Sequence, residues 1–511
     1  MNRRDFMRLA AGGTAFAAMD GFSNSPLLGK DCKDRPNILF IMSDDHAAQA
    51  ISCYGSKINK TPNIDRLAKE GMRFDNCFCT NSICTPSRAV ILTGKYSHKN
   101  TVLTLDDTFD GTQQTFPKLM QKAGYYTGVI GKWHLKTEPT GFDYYNVLPG
   151  QGLYFNPLLK KKGKPWEDGE EGGVVYKGYV TDVITDLALD FLKNRAKGKP
   201  FCLLYQHKAP HDMWEYDKKH AHLYEDMDIP EPANLFDDYQ NRGEAVKRTT
   251  QKIGMEETVF LHETQGGQFD NVSEEIEALP PKAQKKKAYQ YFIKAFLRCV
   301  ASIDDNIGRV LDYLDKSSLA ENTIVIYTAD QGFFLGEHGL FDKRFMYEES
   351  LRMPFLVRYP KEIKPGGISD DIITNVDFAE TFLDYAGVPI PSDMQGHSLR
   401  PLFKGRTPNN WRKSMYYRYW MHLAHFDVAA HFGIRTNRYK LIYYYGKAMG
   451  ATGAVDESTM PEWELFDLSK DTREMNNVYN DPTYADVVKE LKNELIRLRK
   501  ELEDNDRVVI N

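Results

Sequence analysis

Cysteine is sparse in this sequence: seven residues among 511, widely spaced, which is not the spacing of a disulfide-stapled scaffold. Cys77, Cys79 and Cys84 lie close together, but no second cysteine cluster and no histidine pair completes a zinc or iron–sulfur site. Neither charge sign dominates. A formal net charge of -5 leaves no nucleic-acid footprint, so an anionic ligand must find a local basic patch. No apolar run reaches the length of a membrane span. Internal repeats, a Walker loop, a dinucleotide fingerprint and a serine elbow are all missing. What remains has the composition of a globular protein, 41% apolar and 12% aromatic, long enough for one large domain and a smaller one.

The first residues read as an address rather than as fold. Arg3-Arg4-Asp5-Phe6-Met7, a short apolar run and then Gly, Ser, Asn and Pro form a twin-arginine-like export signal and linker over 1–29. That predicts a periplasmic or extracellular protein with no integral membrane span. A main domain is expected over 30–395. After the Pro/Gly-marked linker near Pro389–Gly405 a smaller α+β domain with an antiparallel sheet is expected over 396–511.

The most informative stretch is residues 81–96, NSICTPSRAVILTGKY. Pro86 suits the first turn of a helix, which places Cys84 at a helix N-terminus, where free N–H groups favour an anion. Arg88, one turn on, returns to the same side with a planar cationic fork. By itself this also describes a buried cysteine beside a surface arginine. Other segments supply partners. Apolar strands read over PNILFIMS, YYTGVIGK, FCLLYQ and ENTIVIYTA each stop on polar residues. Parallel α/β sheets place their sites at such strand ends.

The first strand stops on Asp44 and Asp45, the last on Asp330 and Gln331. These form an oxygen-rich set suited to a hard cation such as calcium. The second strand ends on Lys132 and His134, which share a side in extended chain. The third ends on His207, Lys208 and His211, with Trp214 beyond them suited to a sugar ring or to the protein's own core. His338, Lys343 and Arg352 follow the Asp330 strand, and the C-terminal domain offers His422, His431 and Arg435 to the cleft. Residues 141–180 are expected as long loops over the site, and 217–287 as a surface insertion.

These residues carry a resemblance. Cys84-Thr85-Pro86-Ser87-Arg88, continuing to Leu92-Thr93-Gly94, and Gly131-Lys132-Trp133-His134 are similar to the two signatures of the formylglycine-dependent sulfatases, of the alkaline-phosphatase-like superfamily. The likeness covers roughly residues 35–480. It implies a large, mostly parallel mixed sheet flanked by helices. It implies conversion of Cys84 to formylglycine by a formylglycine-generating enzyme, the hydrated aldehyde serving as nucleophile. Calcium then sits among Asp44, Asp45, Asp330, Gln331 and residue 84. Arg88 steadies the hydrate, Lys132 and Lys343 bind sulfate oxygens, His134 helps break down the sulfated intermediate, and His211 faces the leaving oxygen. Gln331 departs from the commoner Asn at its place.

Residues 329–339 and 433–442 resemble the glycan-acting branch, most of all the N-acetylglucosamine-6-sulfatases of heparin, heparan or keratan-like chains. The implied partner is a sulfated oligosaccharide. Ulvan, carrageenan, fucoidan and chondroitin stay open as substrates. Two other classes stay open as well: a phosphomonoesterase or phosphonate hydrolase of the same superfamily, and a non-catalytic glycan-binding homologue.

Overall fold

A computed structural model describes residues 35–166, 172–254, 276, 278–508 and 510. The export signal expected over 1–29 lies outside the described residues. In the main sheet the strands are β1 (Asn37–Ser43), β2 (Met72–Phe78), β3 (Tyr126–Lys132), β4 (Tyr144–Leu148), β5 (Leu158–Lys161), β6 (Val174–Val175), β7 (Phe201–His207) and β8 (Thr323–Ala329). A two-residue ladder of β9 (Phe334–Leu335) and β10 (Phe341–Asp342) follows, then β11 (Arg352–Arg358), β12 (Gly367–Ser369) and β13 (Ile373–Thr374). The order is β12-β2-β11-β8-β1-β7-β3-β4-β5-β6, with β13 also on β2. The centre is parallel, β8, β1, β7, β3 and β4 running one way, while β11 lies antiparallel between β8 and β2.

The apolar strands are buried on both faces, as their unbroken hydrophobic runs require. β1 shows how: Phe40 meets Phe382 edge-on at 5.4 Å on one face, while Leu39 and Ile41 join the opposite core with Phe296 and Ile303. The helices on the Phe40 face are α2 (Cys84–Thr93), α3 (Phe116–Lys122) and α6 (Asp377–Ala386); on the other lie α1 (Pro62–Glu70), α4 (Val180–Asn194) and α5 (Pro281–Lys316). α5 runs 36 residues, well beyond the apolar spacing visible from Tyr289 to Leu314. Its Asp304 carboxylate accepts the N–H groups of Asn63 and Ile64 and so caps α1.

One expectation is corrected. Residues 141–180 include β4, β5 and β6, which extend the sheet rather than lie over it as loops. Ahead of α5, the described part of 217–287 consists of turns, the 3-10 helix Lys218–His220 and the short helix Glu244–Arg248.

The C-terminal sheet is separate and antiparallel: β14 (Ser414–Tyr419), β15 (His431–Thr436), β16 (Tyr439–Tyr444) and β17 (Glu462–Asp467). Leu491, Leu495 and Leu498 of α7 (Ala485–Glu501) pack against it at the spacing of one helix face. β14 also braces the chain entering α2: Arg418 donates its N–H to the Thr80 carbonyl at 3.0 Å, and the Tyr417 hydroxyl accepts from the Ser82 N–H at 3.2 Å. No helix among the described residues is long and apolar enough to cross a membrane.

Candidate active site

The carboxyl ends of β1, β3, β7 and β8 converge on the N-terminus of α2. All ten residues of that helix are buried, Cys84 among them at 1% exposure. The Cys84 thiol lies 3.3 Å from Asp44 Oδ1, and the Gln331 amide points at it from 3.5 Å. Burial and the charge of Asp44 push the thiol's pKa far up, so it stays protonated and is a poor nucleophile as it stands.

Three carboxylates meet here. Asp44, Asp45 and Asp330 are buried with an oxygen each within 4.8 Å of the others. At that spacing each like-charged pair repels by about 3.5 kcal/mol at an effective dielectric near 20. Compensation comes from three cations. Lys132 is ion-paired with Asp44, Lys343 lies 2.6 Å from Asp45 Oδ2, and Arg88 reaches Asp330 with Nε at 3.0 Å and Nη2 at 2.9 Å. Burial opposes the charge on Asp44, yet Lys132, His211 and Arg88 hold its pKa well below the usual range. Asp330 is pushed up, by burial and then by Asp44. The negative charge therefore concentrates on the β1 end.

Arg88 is fixed from both sides. Its Nη1 donates to the Lys132 carbonyl at 2.7 Å and to Gln206 Oε1 at 3.2 Å. The close approach of β3 to β7 is possible because residue 131 is glycine: a Cβ there would lie 1.8 Å from the Gln206 carbonyl oxygen, and φ is 98°. β3 stops at Lys132, and His134 has a φ of 53°, so the two do not continue as extended chain. Both nevertheless face the cluster. The His134 carbonyl accepts from the Thr85 hydroxyl, and burial followed by the charge of Lys132 holds the imidazole pKa well below its ordinary value. His211 turns Nε2 toward Asp45 Oδ2 at 3.7 Å, while Nδ1 is paired with the Asp212 carboxylate.

The remaining sequence-selected residues divide. Lys208 lies near the cluster, its ammonium 4.6 Å from the Tyr154 ring centroid, and burial followed by the charge of Lys132 brings its pKa down to about 8. His207 does not join it. It sits on the opposite face of β7, its ring 4.4 Å from that of Tyr205 and neither nitrogen hydrogen-bonded. Trp214 is fully buried against Phe292 and Phe333 and presents no face to a sugar. His338 is held by Asp237 at 2.9 Å, and His422 by the Glu457 carbonyl and the Ala430 N–H. His431 is packed among Tyr417, Tyr419 and Tyr444, and Arg435 is paired with Glu348 beside Arg352. These are packing and ion-pair positions, away from the cluster. Sequence reasoning passed over Gln206, Asp212 and Gln151, whose amide oxygen accepts from Lys132 Nζ. A polar residue ending an apolar strand was the available signal for Gln206; Gln151 has none.

The arrangement groups a hard-cation ligand set, three cations suited to an oxyanion, two histidines and a helix N-terminus around one side chain. Residues 36–388 match the family model described as Sulfatase, and 336–501 that described as N-sulphoglucosamine sulphohydrolase, C-terminal. An N-acetylglucosamine-6-O-sulfatase of Bacteroides thetaiotaomicron is 46% identical over 515 residues, 93% of this chain and 88% of the relative. The human N-acetylglucosamine-6-sulfatase is 27% identical over 75% of this chain and 67% of its own. A solved structure of a protein in complex with its substrate D-glucosamine-2-N,6-O-disulfate superposes with a TM-score of 0.85 at 45% identity, covering 93% of this chain and 100% of that one. The alkaline-phosphatase-like architecture expected from the sequence is therefore the one found. With the Sulfatase model matching residues 36–388 and a sulfatase 46% identical across 93% of the chain, this chain belongs to the sulfatase family, the hydrolases of sulfuric esters.

Proposed function

We infer that this chain removes the 6-O-sulfate of glucosamine residues in heparin- or heparan-type glycans, using formylglycine made from Cys84 and a bound calcium ion. The observation that carries the substrate is the 46% identity, across 93% of the chain, to the N-acetylglucosamine-6-O-sulfatase. The cation is supported by the site itself. Gln331 Oε1 is a buried oxygen without a hydrogen-bond partner, beside three carboxylates in mutual repulsion. Half a turn of the Gln331 amide exchanges its nitrogen for that oxygen. Asp44, Asp45, Asp330, Gln331 and residue 84 would hold the ion. When bound, calcium and the formylglycine hydrate supply charge neutralisation and an oxygen nucleophile.

The chain's own groups do the rest. Lys132 and Lys343, paired with Asp44 and Asp45, are the two ammonium groups that would bind sulfate oxygens once those carboxylates hold a cation. Arg88 keeps residue 84 and Asp330 in register. His211, oriented through Nδ1 by Asp212, presents Nε2 to protonate the departing sugar oxygen. His134, held neutral by its surroundings, is available to take a proton near residue 84. Catalysis by residues 30–395, with 396–511 bracing them, and export through the signal over 1–29 belong to the same reading; the separate antiparallel sheet and Arg3-Arg4 support them.

Two measurements test it. Mass spectrometry of the tryptic peptide 74–88 should find formylglycine at position 84; fully active enzyme with unmodified Cys84 sinks the nucleophile. Sulfate release from defined 6-sulfated glucosamines should be lost on chelation and restored by calcium. Restoration by zinc instead would favour a metallophosphatase-like site.

A further inference from the structure

Beside the cluster, and sharing His134 with it, opens a cleft of about 740 Å³ walled by the loop before β5, by β5 itself and by Trp166. Nothing in the reaction above uses it. Its chemistry is distinctive at Lys160. That residue is 2% exposed, and its ammonium sits 4.7 Å from the centroid of the Trp166 ring. A surface lysine keeps its head in water and buries its stem; this one is almost wholly enclosed, at the wall of the cleft. Among the described residues no carboxylate comes within ion-pair distance of it. Among the described residues Glu138 is the carboxylate lining the cleft, and it accepts from the Tyr145 hydroxyl at 2.5 Å. Lys136 adds a second cation at the rim, and Leu153, 57% exposed, adds apolar surface beside Trp166.

An enclosed cation with an aromatic wall and no counter-charge among the described residues is half of an ion pair. We propose that this cleft is an anion-reading subsite, in which Lys160 receives a carboxylate or sulfate substituent of the glycan other than the ester being cut. The ligand reaches it as a sugar ring laid on Trp166 and Leu153, with the scissile ester at residue 84 on the far side of His134. Two groups share that chemistry: an N-sulfate on the same glucosamine, and the carboxylate of a neighbouring uronic acid. The subsite rests on the sulfatase reading only for where the scissile ester lies. It predicts that an enzyme of this kind prefers a glycan with a second negative charge over a singly charged one.

The test pairs turnover with binding. Lys160→Met keeps the stem and removes the charge; Lys160→Arg restores the charge. Sulfate release is compared on N-acetylglucosamine-6-sulfate, on glucosamine-2-N,6-O-disulfate, and on a disaccharide joining 6-sulfated N-acetylglucosamine to a uronic acid. Loss of one charge-assisted contact lowers kcat/KM by about 10- to 100-fold. That loss is expected on the second or third substrate and assigns the N-sulfate or the carboxylate respectively. Less than about threefold is expected on the first, and Lys160→Arg recovers most of the loss. An equal loss on all three, or none on any, overturns the subsite. Binding is read separately, as thermal stabilisation of the whole protein by glucosamine-2-N-sulfate and by the disaccharide lacking its 6-sulfate. At least one should stabilise the wild type and neither should stabilise Lys160→Met. Wild-type protein inert on every ester would overturn the sulfatase reading alone; stabilisation equal in both proteins, or absent from both, would overturn the subsite alone.

Discussion

The ion pair between Arg88 and Asp330 offers the sharpest check on how the site is held. Arg88 is 3% exposed and spends its fork on Asp330 Oδ2, the Lys132 carbonyl and Gln206 Oε1. Changing it to methionine leaves a carboxylate buried beside Asp44 with its strongest compensation gone. Breaking a buried pair from one side costs about 3–5 kcal/mol. Asp330→Asn should cost a comparable amount, because it strands the guanidinium instead. The double variant removes both charges, so it should fall short of the sum of the two by at least about 2 kcal/mol. Arg88→Lys keeps the charge, but a single nitrogen cannot span Asp330 and the Lys132 carbonyl, so it should recover roughly half of the methionine loss. Urea unfolding of calcium-free protein, followed by tryptophan fluorescence, reads all four. Additivity within about 0.5 kcal/mol would show that the two groups do not depend on each other, and the account of the site would fail.

Two further outcomes follow from neighbouring groups. Gln206→Leu takes away an acceptor of Arg88 Nη1 and should lower kcat about tenfold with KM little changed; an unchanged kcat removes any positioning role for Gln206. Glu380, fully buried in α6, has its pKa pushed up to about 8 by burial and then by Asp377. Unfolded, it titrates near about 4.3, so its contribution is intact below that pH and is lost as the pH rises toward 8. Glu380→Gln has no proton to lose. Relative to the wild type it should gain on the order of 3 kcal/mol between pH 5 and 8.5, and thermal unfolding curves that keep a constant separation across that range would refute it.

The strand ends carrying the site were legible because β1, β7 and β8 are apolar on both faces and stop abruptly on polar residues. Where the reading failed, the physics is specific. Along a strand, neighbours point to opposite faces, so Gln206 toward Arg88 puts His207 on the other side. Polar type alone could not choose between them. His338, His422 and His431 looked like cleft residues because a histidine in an apolar context suggests chemistry. The carboxylate, carbonyls and aromatic rings that hold them come from segments distant in sequence. β5 escaped notice since Leu158-Leu159-Lys160-Lys161 shows no alternation between apolar and polar residues.

The enclosure of α2 also sets a clock. Its approach is closed by the Asn375 amide, which donates to the Ser87 hydroxyl, and by the Tyr417 hydroxyl on the Ser82 N–H, a partner 335 positions downstream. Until the ribosome has delivered those residues, the segment around Cys84 has no native lid. At roughly 5–20 residues per second, that interval is about 20–70 s. The conversion of Cys84 proposed above would have to reach the thiol before that lid closes, so it would compete with synthesis and folding rather than with substrate. A chain that folds before that conversion would be well ordered, thermally sound and permanently inert. The yield of active protein would then be decided by timing, with no trace of the difference in its stability.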